Sequence, residues 1–157
     1  MSIRKLHLLF AAAAITGSAF AQTTTTHTSD YTFPLVGLGS TETLGVNLIN
    51  LAAKSGNGTA ASCGGSVTFI NAAGTTIGTP TTFTLATDAV TSVTLPFSSA
   101  GLAGIRGLVR TVVATTITNG VPCSLSFSLN TYDTGTGATH IFLTGSGVLQ
   151  PANNPGH

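Results

Sequence analysis

Charge is scarce in this chain. Beyond residue 21 the lysines, arginines, aspartates and glutamates number seven: Asp30, Glu42, Lys54, Asp88, Arg106, Arg110 and Asp133. So few charges leave little with which to ligate metals, activate nucleophiles or grip phosphates. A nucleic-acid surface is excluded on the same ground, because such binding begins with clustered Lys and Arg. Like-charge repulsion between copies is also weak, which permits self-association without requiring it. Tryptophan is absent and tyrosine is limited to Tyr31 and Tyr132. The aromatic platforms common in sugar-binding sandwiches are therefore sparse, and most phenylalanines fall on inward phases. A helical class is disfavoured too, since no stretch carries a convincing 3.6-residue apolar period.

One apolar run does occur, at the N-terminus. Arg4 and Lys5 make a positive start, Leu8 to Ile15 is unbroken apolar sequence, and Ala19-Phe20-Ala21 is an A-x-A cleavage signal. That order is a secretory signal peptide over residues 1–21. Eight apolar residues fall well short of the roughly 20 needed to span a bilayer. The two cations leave with the signal, so the remaining chain has three cations and four anions, net −1. The expected location is exported: periplasmic, cell-surface or extracellular.

The remaining chain is mostly threonine, serine, glycine and small apolar residues. Residues 22–30 are polar and low in complexity and read as a flexible Thr-rich arm. Residues 150–157 read as a disordered tail. Residues 31–149 then form one domain of ordinary size. Within it, alternation dominates, and threonine and valine favour strands. Tyr31–Leu38 and Glu42–Leu51 are strand candidates. From Cys63, the residues Cys63, Gly65, Val67 and Phe69 share one face. Ile77, Phe83 and Leu85 mark another strand, which Pro80 confines to an edge or a bulge. Val93, Leu95 and Phe97 alternate with polar neighbours, and a loop at 98–104 has room for one helical turn.

Residues 105–118 predict a long strand with Ile105, Val109, Val113 and Ile117 on one face and Arg106 and Arg110 on the other. Asn119-Gly120 is a hairpin signal. The strand after it places Cys123, Leu125, Phe127 and Leu129 inward. Asp133 opens a Gly-rich turn into a last strand with Ile141, Phe142 and Leu143. The longest loop runs from Ala53 to Ala61. Seven to eight strands at this spacing predict an all-β fold, an immunoglobulin-like antiparallel β-sandwich.

Cys63 and Cys123 each lie in phase with the inward set of their own strand. In an exported chain such a pair reads as a disulfide. The expected bridge joins strands within the core, across the two sheets.

No metal or catalytic cluster emerges. His27, His140 and His157 are isolated, without H-x-H, H-x-x-x-H or Cys/His spacing. His140 reads as an exposed strand residue. A Ser–His140–Asp133 triad has no local support. Asp88 and Asp133 read as turn residues, and Arg106 and Arg110 as solvated outer-face residues that discourage edge pairing. Asn57-Gly58-Thr59 matches an N-glycosylation acceptor in the long loop. No cofactor, catalytic or metal site is therefore expected, and the chain is not expected to be an enzyme.

The run Gly65-Ser66-Val67-Thr68-Phe69-Ile70-Asn71-Ala72-Ala73-Gly74, with Phe83-Thr84-Leu85 and Ser92-Val93-Thr94-Leu95-Pro96, resembles small bacterial exported domains with an immunoglobulin-like sandwich. The Pro122-Cys123 strand leading to Tyr132-Asp133-Thr134-Gly135-Thr136-Gly137 is similar too. The likeness spans most of residues 31–145 and implies a fold and an exported location, with no catalytic residues. Chaperone-assembled pilins share the size, export signal, cysteine pair and polar arm. The ending Gln150-Pro151-Ala152-Asn153-Asn154-Pro155-Gly156-His157 departs from their alternating C-terminal strand. The expected function is a non-enzymatic structural or interaction module, able to self-associate or to bind other surface proteins. The competing expectation is an accessory domain for carbohydrate or peptide.

Overall fold

The computed structural model describes residues 26–52, 62–118 and 123–149. Nine strands fill these residues: β1 Thr26–Thr32, β2 Val36–Gly39, β3 Glu42–Asn50, β4 Cys63–Asn71, β5 Thr76–Leu85, β6 Val90–Pro96, β7 Arg106–Thr118, β8 Cys123–Asp133 and β9 Thr139–Leu149. All pairings are antiparallel. Sheet A runs β1-β7-β4-β5, with β2 also paired to β7; sheet B runs β6-β3-β8-β9. The fold is an all-β sandwich. Among the described residues no helix is long and apolar enough to cross a membrane.

Alternation builds the core. In β8 the residues Cys123, Leu125, Phe127, Leu129 and Thr131 are buried while their neighbours are only partly so. β7 answers with Val109, Thr111, Val113 and Thr115. Leu38, Leu44, Val46 and Val67 complete the apolar layer between the sheets. Burying each such aliphatic side chain stabilises the fold by about 1.5–3 kcal/mol.

Pro80 sits where strand chemistry confines it. β5 is the edge of sheet A, and its ladder with β4 slips between Val67↔Thr81 and Phe69↔Ile77. Gly78, Thr79 and Pro80 therefore face Thr68 alone. Gly78 has φ +66°, a conformation glycine adopts without a Cβ penalty. Both expected devices, edge and bulge, are present.

Several details differ from the sequence-based expectations. The arm expected over 22–30 is, from Thr26 on, strand β1, in register with β7 from Thr26↔Thr118 to Thr32↔Val112. Its polar threonines suit a strand whose outer face meets solvent; backbone pairing needs no apolar run. The first candidate strand, Tyr31–Leu38, is split at Pro34 into β1 and β2, which follow one another along the same side of β7.

Asn119-Gly120 does not join a hairpin of the strands on either side of it. β7 belongs to sheet A and β8 to sheet B. β7 is flanked by β1 and β4, and β8 by β3 and β9, so neither has a free side for the other. Ile105, expected to open the long strand on the same face as Val109 and Val113, lies just before β7 and is 83% exposed. The expected helical turn is a 3₁₀ turn at Phe97–Ser99. The signal peptide, the tail at 150–157, the Asn57 sequon and the Asn119-Gly120 dipeptide lie outside the described residues.

Candidate functional site

The disulfide is where the cysteine phases placed it. Cys63 of β4 and Cys123 of β8 are bonded, with Cα atoms 5.3 Å apart, and both are buried. The bond ties sheet A to sheet B through the core.

A polar cluster closes one end of the sandwich. Glu42 begins β3, opposite Asp133 at the end of β8. Its Oε2 accepts the Gly39 N–H at 2.6 Å, and its Oε1 pairs with His140 Nδ1. A β-bulge brings His140 there. β9 pairs Thr131↔Ile141 and then Tyr132↔Thr139, so His140 is the extra residue of the strand. Plain alternation would aim His140 to the same side as Phe142; a bulge re-aims a side chain. The imidazole is still 49% exposed, so the expected exposed strand residue holds a partner that spacing alone does not reveal.

Two glycines of β2 make room for this cluster. A Cβ at Gly37 would lie 2.4 Å from Arg106 Nε, and one at Gly39 would lie 3.1 Å from Glu42 Oε2. The Arg106 guanidinium therefore rests against β2, near enough to Glu42 to favour its charge. Burial raises the Glu42 pKa. The hydrogen bonds from His140 and Gly39 and the charges of His140 and Arg106 outweigh burial and leave it below the ordinary 4.5.

Asp133 is engaged in its own turn. The N–H groups of Gly135 and Thr136 donate to its Oδ1 at 3.0 and 2.8 Å, and the Thr136 hydroxyl at 2.9 Å. The Thr136 and Gly135 amides and the hydroxyls of Thr41 and Thr136 hold its carboxyl at about 2. Across the turn, Thr43 and Thr134 hydroxyls meet at 3.1 Å and the Thr134 N–H donates to the Thr41 carbonyl at 2.9 Å. An open groove of about 390 Å³ lies beside it, lined by Glu42, Pro96, Phe97, Ser98 and Asp133 among others.

Chemically, this cluster is a clasp. The histidine's partner is Glu42, while Asp133 serves the β8–β9 turn, so His140 and Asp133 do not form a base–orienter pair. Both carboxyls are held low, whereas a carboxyl general acid is tuned upward. Among the described residues no group of three or more His, Cys, Asp and Glu is placed to hold a metal ion.

The outer face of sheet B is a second candidate. Register sets Val90, Ile49 and Ser126 side by side, then Ser92, Asn47, Ser128 and Thr144, then Thr94, Gly45, Asn130 and Phe142. None of these carries a charge. Asn47 knits the middle rows: its Nδ2 donates to Ser128 Oγ and Asn130 Oδ1, both at 3.3 Å, and its Oδ1 accepts the Ser92 hydroxyl. Phe142 stands on this face 63% exposed and Val90 64%. Sheet A differs, since its outer face carries Asp30, Arg106 and Arg110. Sequence reasoning does not single out Phe142 or Asn47 as surface features; the strict polar alternation of β8 is the signal that could have done so.

Comparison with models of known families, with curated proteins and with solved structures found no match.

Proposed function

We propose that this chain is an exported, non-enzymatic sandwich of immunoglobulin-like class that acts as a structural or interaction module at the cell surface or in the extracellular matrix, and that it self-associates. The charge-free outer face of sheet B carries this reading. It is broad, knit by side-chain hydrogen bonds, and holds two exposed apolar side chains, so covering it desolvates no ion. The sandwich's layering and its inter-sheet disulfide support the class. The N-terminal signal supports export. Fractionating the producing cells and imaging the surface and medium tests the reading. The protein is expected outside the cytoplasm, in assemblies or retained at the surface. A cytoplasmic protein, or one lost to the medium as a free monomer, would sink it.

Phe142 favours a second reading, an accessory domain for neutral carbohydrate. Its exposed ring stands in register with Asn130, whose side-chain amide lies over Gly45. A ring beside amide groups is the minimum a sugar needs for stacking and hydrogen bonding. A glycan array separates the two: binding lost in Phe142→Ala selects the second, and a blank array selects the first.

A further inference from the structure

An antiparallel sandwich has edges, and exposed edges pair unless something prevents it. The edges here are unequal. β5 is broken by the three-residue bulge with Pro80. The opposite edge of sheet A is interrupted at 33–35, around Pro34, and carries Asp30. In sheet B, β6 runs seven residues and ends on Pro96 and the 3₁₀ turn. β9 runs eleven residues, Thr139–Leu149, with no proline, lysine, arginine, aspartate or glutamate. After the bulge at His140, its ladder with β8 continues without a shift from Ile141 to Leu149.

We propose that β9 is the edge through which two copies of this chain join, pairing antiparallel about Thr144 to make one continuous eight-stranded sheet. This rests on the self-association reading above and gives it a location. The sequence of the edge is compatible with its own twofold. With Thr144 opposite Thr144, Leu143 faces position 145, Phe142 position 146 and Ile141 position 147. No ionised carboxylate or ammonium group is opposed, and the two His140 positions lie at opposite ends. The paired stretch Ile141–Gly147 is about 20 Å long. It supplies about six to eight backbone hydrogen bonds to groups that none of the described strands pairs. Phe142, exposed on the outer face, comes diagonal to the partner's Thr144, within reach of a ring. The Ser/Asn rows of sheet B then extend across both copies as one uncharged face, which is why the occupant is a second copy.

The test uses the full chain, exported by its host and purified, in sedimentation across a wide concentration range. A concentration-dependent dimer is expected. Thr144 is exposed, so Thr144→Lys leaves the fold intact while opposing two ammonium groups at the centre of the pair; it is expected to abolish the dimer. Ser92→Lys on β6 is expected to leave it unchanged. Should the lysine variant misfold, Thr144→Cys provides a second measurement. A short thiol cross-linker is expected to trap a dimer of that variant and not of Ser92→Cys. A strict monomer, a dimer that survives Thr144→Lys, or equal cross-linking at both positions overturns the β9 pairing. In the last two cases self-association by another surface survives; surface retention of a strict monomer leaves only the interaction-module reading.

Discussion

Tyr31 of β1 occupies the space that a side chain on Gly145 of β9 would need. A Cβ at Gly145 would stand 2.7 Å from Tyr31 Cζ, 2.8 Å from its hydroxyl oxygen and 2.5 Å from Phe127 Cε2. The first and last strands of the sandwich, one in each sheet, thus meet through one glycine. Tyr31 reaches there as part of an aromatic trio, with centroids 4.4 Å from Phe127 and 4.9 Å from Phe33, the latter pair edge-on. Real Cβ contacts do not come so close, so Gly145→Ala must displace a ring. The expected cost is about 1–3 kcal/mol, as for other overpacked cores. Urea denaturation measures it. In a Tyr31→Ala background the cost of Gly145→Ala is expected to shrink without vanishing, because Phe127 remains in the way.

The Cys63–Cys123 bond closes a loop of 60 residues between the two sheets. In the chain-entropy account such a loop is worth about 4 kcal/mol, more than any single buried leucine. Replacing both cysteines by alanine, so that no lone thiol remains, is expected to lower stability by about that amount. A reducing agent should shift the wild-type midpoint similarly and leave the double variant unmoved. Equal midpoints for wild type and variant would show that the bridge contributes nothing.

How far the sequence discloses these features depends on whether they are local. The inward phase of Cys63 and Cys123 comes from alternation within each strand, and alternation is local. Pro80's edge position comes from a missing N–H, which is also local. Asn119-Gly120 shows the limit. The dipeptide signals a turn by its residue types, but which sheet receives the next strand depends on partners that already flank β7. Polarity makes residues 26–30 look like an arm when hydrophobic burial is the criterion, whereas β1 is held by its ladder to β7. The Glu42–His140 pair is out of reach for another reason: its members are 98 residues apart, and a one-residue bulge decides where the imidazole points.

Acid should loosen the clasp at that end. Glu42 and Asp133 both have folded pKa values below their ordinary 4.5 and 3.8, Asp133 at about 2. As pH falls, the unfolded chain takes up these protons first, so the folded state loses ground. Their contribution is fully present above about pH 5 and is lost as pH drops through the folded values. The expected acid limb therefore starts below pH 5 and extends to about 2. Glu42→Gln and Asp133→Asn should each be less stable at neutral pH and show a shallower limb. Thermal midpoints recorded at closely spaced pH values would reveal it; a variant with an unchanged limb would remove that carboxylate from the account.

Thr111 and Thr131 carry hydroxyls that are fully buried and have no hydrogen-bond partner within the described residues. Each sits on the inward face of its strand, Thr111 opposite Phe69 and Thr131 opposite Leu44. An unpaired buried hydroxyl costs about 1–3 kcal/mol in desolvation. Valine has nearly the same shape, keeps the β-branch that strands favour, and has no polar atom to desolvate. Thr111→Val and Thr131→Val are therefore expected to stabilise the sandwich by about 1 kcal/mol each. The gain should appear as a higher denaturant midpoint at an unchanged slope, since the surface exposed on unfolding barely changes. A loss in either variant would mean that its hydroxyl is bonded to a buried water, and the core around it would then be wet where the protein atoms alone leave it dry.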